Sequence, residues 1–600
     1  MSPKKTAIAA SLTLLVATAI AACGGRDAPL LPPVQLSLIG LNDFHGNLQP
    51  PSGSVIVKDA ANAAGTKVSA GGAAYLASLI ASLKAQNPGN TLVVAAGDMI
   101  GASPLASGLF HDEPTIDALG LMGLDVTSVG NHEFDKGRDE LLRMQNGGCL
   151  PRSADGSRGI VGVDTCMNNG SFAGAKFQYL AANVIDQKTG APLFPATSVK
   201  TVGGVKVGFI GLTLKDTPSV VTPAGVAGLQ FTDEVSTVNQ LVPSLKAQGV
   251  SAIVVLVHQG GSTTAGLVND KSCPGFTGEI IAIADKLDPA IDVIVSGHTH
   301  QEYVCVRPDG KLITQTGFYG RIATKVDLTI DPNTRKVTKK DASNLVAIND
   351  AGVKDASGAL IPIPAGMTVQ AKNPAIEVLV QRYVSLTAPI TSIVLGMLNG
   401  PLERKTNPAG ESSMGDVIAD AFLTASSDPS YGPAPAQIAF TNLGGLRADL
   451  NSSLQVSFGQ LYNVLPFGNN LVTMNLTGDQ LLRLLEQQWE SPQPAGGRVL
   501  PLSQGLTYSW DAAKLEGAAP KTGDRVVAGS LKLNGVPVES TKSYRITVNN
   551  FMASGGDNFT VLTRGTNVQQ GAIDIDAASA YFKLKGTIST PAQNRITRLN

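Results

Sequence analysis

The sequence predicts a layered α/β protein of two units, and three patterns carry that expectation. Short apolar runs recur from Leu36 to about Asp341 and nearly all end in Gly, Asp, Asn or His. Helical periodicity lies between several of these runs. A second α/β texture follows from about Ser392, beyond a Pro-containing stretch of weak periodicity. β-rich runs separated by helical patterns define α/β layers.

In the first unit the predicted strands are Leu36–Leu41, Leu92–Ala96, Val126–Val129, Tyr179–Ala182, Val205–Ile210, Ile253–Val257 and Val293–Val295. Helical patterns cover Ala73–Ala85, Pro114–Met122, Val235–Ala247 and Gly278–Lys286. A further helix, Ala375–Ser385, closes the connecting stretch. The second unit offers helices at Gly415–Ala425 and Thr477–Trp489 and strands at Gln437–Thr441, Asn470–Leu476 and Tyr544–Asn549. The resulting division is residues 34–343, an inter-domain connection or hinge at 344–391, and 392–600.

At about 100–200 residues per domain, length alone would suggest three to six domains, more than this division needs. Lys+Arg is 46 and Asp+Glu 47, a formal net charge of -1. That balance argues against a strongly basic binder of polymeric nucleic acid. Charged residues are 16% of the chain, below the usual ~25%.

Lys4 and Lys5 precede an apolar run from Thr6 to Ala22, and Cys23 follows small residues. A basic start, a short apolar stretch and small residues before a cut site describe a secretory signal at 1–22. The Ala21-Ala22-Cys23 junction resembles the lipobox of bacterial lipoproteins. That resemblance implies lipidation at Cys23, a tether at 23–33, and a membrane-anchored protein of the cell envelope, in the periplasm or at the outer membrane. Cys149, Cys166, Cys273 and Cys305 remain, and four cysteines allow three connectivities. Nearest-neighbour pairing, Cys149 with Cys166 and Cys273 with Cys305, closes two short loops. A thiolate metal site is the alternative, but no C-x-x-C spacing is present.

Five of the six histidines follow predicted strands, beside Asp, Asn or Gly. They fall in Asn42-Asp43-Phe44-His45-Gly46, Gly130-Asn131-His132-Glu133-Phe134-Asp135, Val257-His258-Gln259 and Gly297-His298-Thr299-His300, with Gly97-Asp98 alongside. Imidazole and carboxylate suit borderline divalent metals, and ligands of open α/β sheets gather at the carboxyl ends of strands. Three Asp/Asn oxygens and four His nitrogens exceed one tetrahedral ion and suit two ions sharing a carboxylate. His111 has no such context.

D-x-H, G-D, G-N-H-E, H and G-H-x-H in this order resemble the calcineurin-like binuclear metallophosphoesterases. The resemblance implies a four-layer αββα first domain and two divalent ions, Zn²⁺, Mn²⁺ or Co²⁺. It implies one ion held by Asp43, His45, Asp98 and His300, and the other by Asp98, Asn131, His258 and His298. A hydroxide between them would attack phosphorus. His132, oriented by Asp135, would lie near the phosphoryl group and stabilise the transition state or assist the leaving oxygen.

The second unit contains Asn442-Leu443-Gly444-Gly445-Leu446-Arg447, Pro466-Phe467-Gly468-Asn469 and Phe551-Met552-Ala553-Ser554-Gly555-Gly556-Asp557. Two rings can sandwich a base, an Arg can grip phosphate, and an Asp can accept from ribose hydroxyls. These segments resemble the substrate domain of bacterial 5′-nucleotidases, a family that includes UDP-sugar hydrolases and 2′,3′-cyclic-nucleotide phosphodiesterases. The resemblance implies that Phe467 and Phe551 stack the base, Asn469 hydrogen-bonds it, and Asp557 binds the ribose. Arg404 and Arg447, with Asn442 nearby, would bind near the phosphate. The expected activity is release of phosphate from nucleoside 5′-monophosphates for salvage. The alternatives are a thiosulfohydrolase with the same metal set, or a non-catalytic nucleotide-binding surface lipoprotein.

Overall fold

The computed structural model describes residues 30–355, 357–427, 435–450 and 455–600. The expected signal peptide, Cys23 and the tether up to residue 29 lie outside the described residues. Among the described residues no helix is long and apolar enough to cross a membrane.

Two six-stranded sheets build the first unit. One contains, in spatial order, Lys336–Val346, Ile322–Asp331, Val34–Leu41, Thr91–Ala95, Val126–Ser128 and Gln178–Leu180. The other runs Glu302–Val306, Leu312–Thr316, Ile291–Ser296, Ala252–His258, Val205–Thr213 and Thr197–Val202. Leu38, Val94 and Val126 of the first sheet and Val207, Val254, Leu256 and Val295 of the second form one core between the sheets. Alternate residues of the first sheet face outward onto the helices Ala73–Gln86, Glu113–Met122 and Arg138–Asn146. The second sheet is covered by Glu234–Ala247 and Glu279–Lys286. Each sheet is thus buried on both faces, which explains why its central strands read as continuous apolar runs. The layers are α, β, β, α.

The central strands run parallel. Leu41 lies beside Ala95, Ala95 beside Thr127, and Val257 beside Ser296. Their carboxyl ends therefore share one edge of the sandwich, and the loops after residues 41, 95, 128, 258 and 296 open there. Disulfides join Cys149 to Cys166 and Cys273 to Cys305.

The connecting stretch is anchored on the first unit. The strand Lys336–Val346 extends the first sheet beyond residue 343. The helix Pro374–Thr391, longer than its periodicity suggested, buries Ile376, Val380, Tyr383 and Thr387. Ile376 and Val380 join the outer core of the first unit, and Tyr383 meets Phe110 edge-on with ring centroids 4.8 Å apart. Asn373 caps this helix by accepting from the amides of Ala375 and Ile376.

In the second unit, the sheet Ile438–Ala439, Ser543–Asn549, Asn470–Thr477 and Thr566–Ile573 separates two cores. The helices Ser413–Ala425 and Asp574–Lys585 pack on one face and Gly478–Glu486 on the other. Ser412 caps the first of these by accepting from Gly415 N at 3.0 Å.

Candidate functional site

The loops at the common strand edge bring all seven expected ligands into one buried cluster. His300 Nε2 lies 3.2 Å from Asp43 Oδ1 and 3.1 Å from His45 Nε2. His258 Nε2 lies 3.0 Å from Asp98 Oδ2 and 3.1 Å from Asn131 Oδ1. His298 Nδ1 is 3.0 Å from the same Asn131 oxygen. Asp98 stands between the two groups, its Oδ2 also 3.6 Å from His45 Nε2. Asp43, His45 and His300 form one set with metal-binding spacing, and Asp98, His258 and His298 form another. His45, Asp98 and His132 also approach one another closely enough to hold an ion, a grouping that the sequence did not suggest.

Backbone conformation explains why glycine and short polar residues crowd these loops. Asp43, His45, Asp98, His298 and His300 all have positive φ, between 47° and 72°. This left-handed region is uncommon for any residue with a Cβ, and five of the seven ligands adopt it, so local strain is concentrated at the site. Gly130 permits the closest approach: a Cβ there would lie 2.2 Å from Asp98 Oδ1.

Outer contacts aim the side chains. His45 Nδ1 lies 2.9 Å from Gly101 O and His258 Nδ1 lies 2.7 Å from Ala96 O. These bonds place a proton on Nδ1 and leave Nε2 facing the cluster. Asn42 donates to Asp43 Oδ2 at 2.7 Å and His298 N donates to both Asp43 oxygens. Glu133, quoted above only as part of a motif, accepts from the amides of Asp98, Met99 and Gly130 at 2.7–2.8 Å. It ties two ligand loops together. Burial, then the nearby Asp98 carboxylate, pushes its pKa up to about 8. For His298, burial and the facing His258 pull the pKa down to about 3. For His258, burial is outweighed by Asp98, and the pKa rises to about 9.

His132 stands apart from the two main sets. Its Nδ1 lies 2.9 Å from Asp135 Oδ2 and its amide donates to Asp98 Oδ1 at 2.9 Å. Burial opposes its charged form, but Asp135 and Asp98 win and its pKa rises. The ring faces the second unit, stacked on Phe467 with centroids 5.6 Å apart at 25°.

A cleft of about 430 Å³ opens between the units, lined by Asn131, His132, Asp135 and His298 on one side. Asn442, Arg447, Phe467, Asn469, Phe551 and Asp557 line the other. Asn442 donates to Asp557 Oδ2 at 2.9 Å, and Arg498 Nη1 lies 3.8 Å from Asp557 Oδ1. Burial raises the Asp557 pKa. Phe467 and Phe551 line the same cleft, and Phe467 also packs on His132 across it. Arg404 does not line this cleft; it lines a second one with Arg447 and His300. His111 pairs with Asp164 at 3.2 Å and belongs to neither site.

Fold and site together define a two-domain, metal-dependent phosphoric ester hydrolase. Residues 36–302 match the profile of the calcineurin-like phosphoesterases and residues 393–564 that of the 5′-nucleotidase C-terminal domain. The chain belongs to the 5′-nucleotidase family that combines these two domains. It is 32% identical over 553 residues to Endonuclease YhcR of Bacillus subtilis, covering 92% of this chain and 40% of that protein. The whole of that relative is thus much longer than this chain. Cell wall protein Lmo0130 of Listeria monocytogenes is 30% identical over 581 residues, covering 92% of this chain and 67% of it. The crystal structure of a 5′-nucleotidase precursor from Thermus thermophilus superposes with a TM-score of 0.70 at 25% identity, covering 94% of this chain and all of that one.

Proposed function

We propose that the protein hydrolyses nucleoside 5′-monophosphates to nucleoside and phosphate. One observation carries the reading: His132, held by Asp135, lies on the wall shared by the metal-ligand cluster and the nucleoside-sized cleft. The donor set fits two divalent ions, with Nε2 of His45 and His258 beside Asp98 and Nε2 of His300 beside Asp43. When bound, such ions supply a nucleophilic water at neutral pH and neutralise charge on the phosphoryl oxygens. Zn²⁺, Mn²⁺ and Co²⁺ all suit these donors.

The chain's own residues do the rest. Phe551 and Phe467 offer ring faces for a base. Asn442 occupies Asp557 Oδ2, which leaves Oδ1 to accept from a ribose hydroxyl beside Arg498. Arg447, its Nη2 3.4 Å from His45 Nε2, brings positive charge to the phosphoryl position. His132 gives a proton to the departing 5′ oxygen, and Asp135 keeps the ring oriented for that transfer. The same cleft has room for nucleoside 2′,3′-cyclic phosphates or UDP-sugars as further substrates. The Lys4–Cys23 pattern supports export and lipid anchoring, where released nucleosides would serve salvage. The Phe551–Asp557 wall counts against a thiosulfohydrolase. Purified protein should release phosphate from AMP, lose activity on chelation and regain it with Mn²⁺, Zn²⁺ or Co²⁺. Hydrolysis unaffected by exhaustive chelation would reject the reading.

A further inference from the structure

A second cleft, of about 740 Å³, opens on the other flank of the ligand cluster. The nucleoside cleft reaches His132 and His298; this one reaches His300, and Arg447 lines both. Arg321, Arg404 and Arg447 all line the second cleft. The Nε–H of each is buried without a hydrogen-bond partner. No salt bridge joins any of the three to a carboxylate among the described residues.

Arg321 is the most enclosed, at 7% exposure. Its Nη2 donates to Ser52 O at 2.6 Å, and its Cζ lies 4.4 Å from the centre of the Phe318 ring. Phe318 in turn stacks on His300, centroids 4.8 Å apart at 17°. Burial lowers the Arg321 pKa to about 10, so it remains a cation at neutral pH. A buried cation with no anion and an idle donor is costly. Arg321 nevertheless lines an open cleft, two stacked planes beyond a candidate metal ligand.

We propose that this cleft is a subsite for the far arm of a phosphodiester, and that Arg321 binds a second phosphate carried on that arm. The inference rests on the nucleotidase reading and extends its substrate class to short phosphodiesters with a terminal phosphate, such as the dinucleotide pApA. The leaving adenosine sits in the nucleoside cleft, the internal phosphate at the ligand cluster, and the 5′-phosphate beside Arg321. Water adds to the internal phosphorus, the bond from phosphorus to the 5′ oxygen breaks, and that oxygen takes a proton. The products are adenosine and adenosine 3′,5′-bisphosphate. With a net charge of -1, the chain as a whole carries no excess positive charge to attract long polyanions.

The test compares kcat/KM for pApA, ApA and AMP in the metal-reconstituted protein. A charge-assisted contact predicts that pApA exceeds ApA by about tenfold or more. Arg321→Gln should bring pApA down to the ApA value and leave AMP unchanged. Gly266→Asp provides a second variant elsewhere in the cleft lining. Gly266 lines the cleft, and a Cβ there meets no atom within 4 Å. Its new carboxylate should lower pApA hydrolysis several-fold while sparing AMP. Equal rates on pApA and ApA in the unaltered protein would overturn the proposal. So would a preference that survives both variants, or an Arg321→Gln loss shared equally by all three substrates. If AMP itself is not hydrolysed, the nucleotidase reading fails alone. Equilibrium binding of pApA and ApA then decides the subsite, and equal affinity rejects it.

Discussion

The two walls of the inter-domain cleft are built in opposite ways. On the first unit, Asp43, His45, Asp98 and His258 are essentially inaccessible, and Asp43, His45 and Asp98 also carry positive φ. Each is tied by outer hydrogen bonds to another loop of the same edge. On the second unit, Phe551, Phe467 and Arg447 are only part-buried, and Phe467 spends its ring on a contact across the cleft. The contrast teaches where rigidity is needed. Ion positions must be held to a few tenths of an ångström, whereas a base needs two faces and a few hydrogen bonds. The metal ligands and His132 therefore come from one unit and base selection from the other, with Arg447 of the second unit adding charge at the phosphoryl position.

Breaking the rigid wall should have the largest effect. Asp98→Ala removes the carboxylate between the two ligand sets, and phosphate release from AMP should fall by at least about a thousandfold, with metal content, read by elemental analysis, reduced. Retained metal and activity would show that Asp98 does not link the sets. His132→Ala leaves the ligands in place. It should lower kcat by about 10²–10⁴ while nucleotide affinity stays within a few-fold; unchanged kcat would remove His132 from the chemistry. Glu133→Gln loses one acceptor oxygen for three loop amides, and metal affinity should weaken by about 10–100-fold. Titration of the apoprotein with Mn²⁺ measures this, and unaltered affinity would make Glu133 incidental to the site.

The smallest expected effect is one of pH on stability. Asp574 begins the helix Asp574–Lys585, and its amide donates to Asn469 O at 2.7 Å. Burial raises its pKa to about 7. With a folded pKa above the unfolded one, its favourable contribution is complete below about pH 4 and is lost as pH rises through 7. Asp574→Asn should therefore gain thermal stability relative to the unaltered protein at pH 8.5 and show little gain at pH 4. A gain independent of pH would contradict this assignment.

The same contrast explains how much of the protein was legible in its sequence. The strand ends were legible because metal ligation demands particular residue types, and because parallel strands deliver them to one edge in chain order. Asp43, Asp98, Asn131, His258 and His298 each announce themselves beside a glycine or at the end of an apolar run. Glu133 was hidden because it serves backbone amides, and amides leave no signature in residue identity. The Phe318–Arg321 stack was hidden because it depends on a loop folding under His300, with no spacing rule to mark it. Phe467 on His132 was hidden because packing between the units is a property of neither unit alone. The helix Pro374–Thr391 read as a connector, since its docking on the first unit rests on only a few apolar positions such as Ile376 and Val380.

The division between chemistry and selection is tested most directly by Phe551→Ala. Its kcat/KM for AMP and for p-nitrophenyl phosphate is measured side by side with the unaltered protein. AMP should lose about tenfold or more, while the aryl phosphate, which carries no nucleoside base, stays within about twofold of its original value. Equal losses on both substrates would contradict the division.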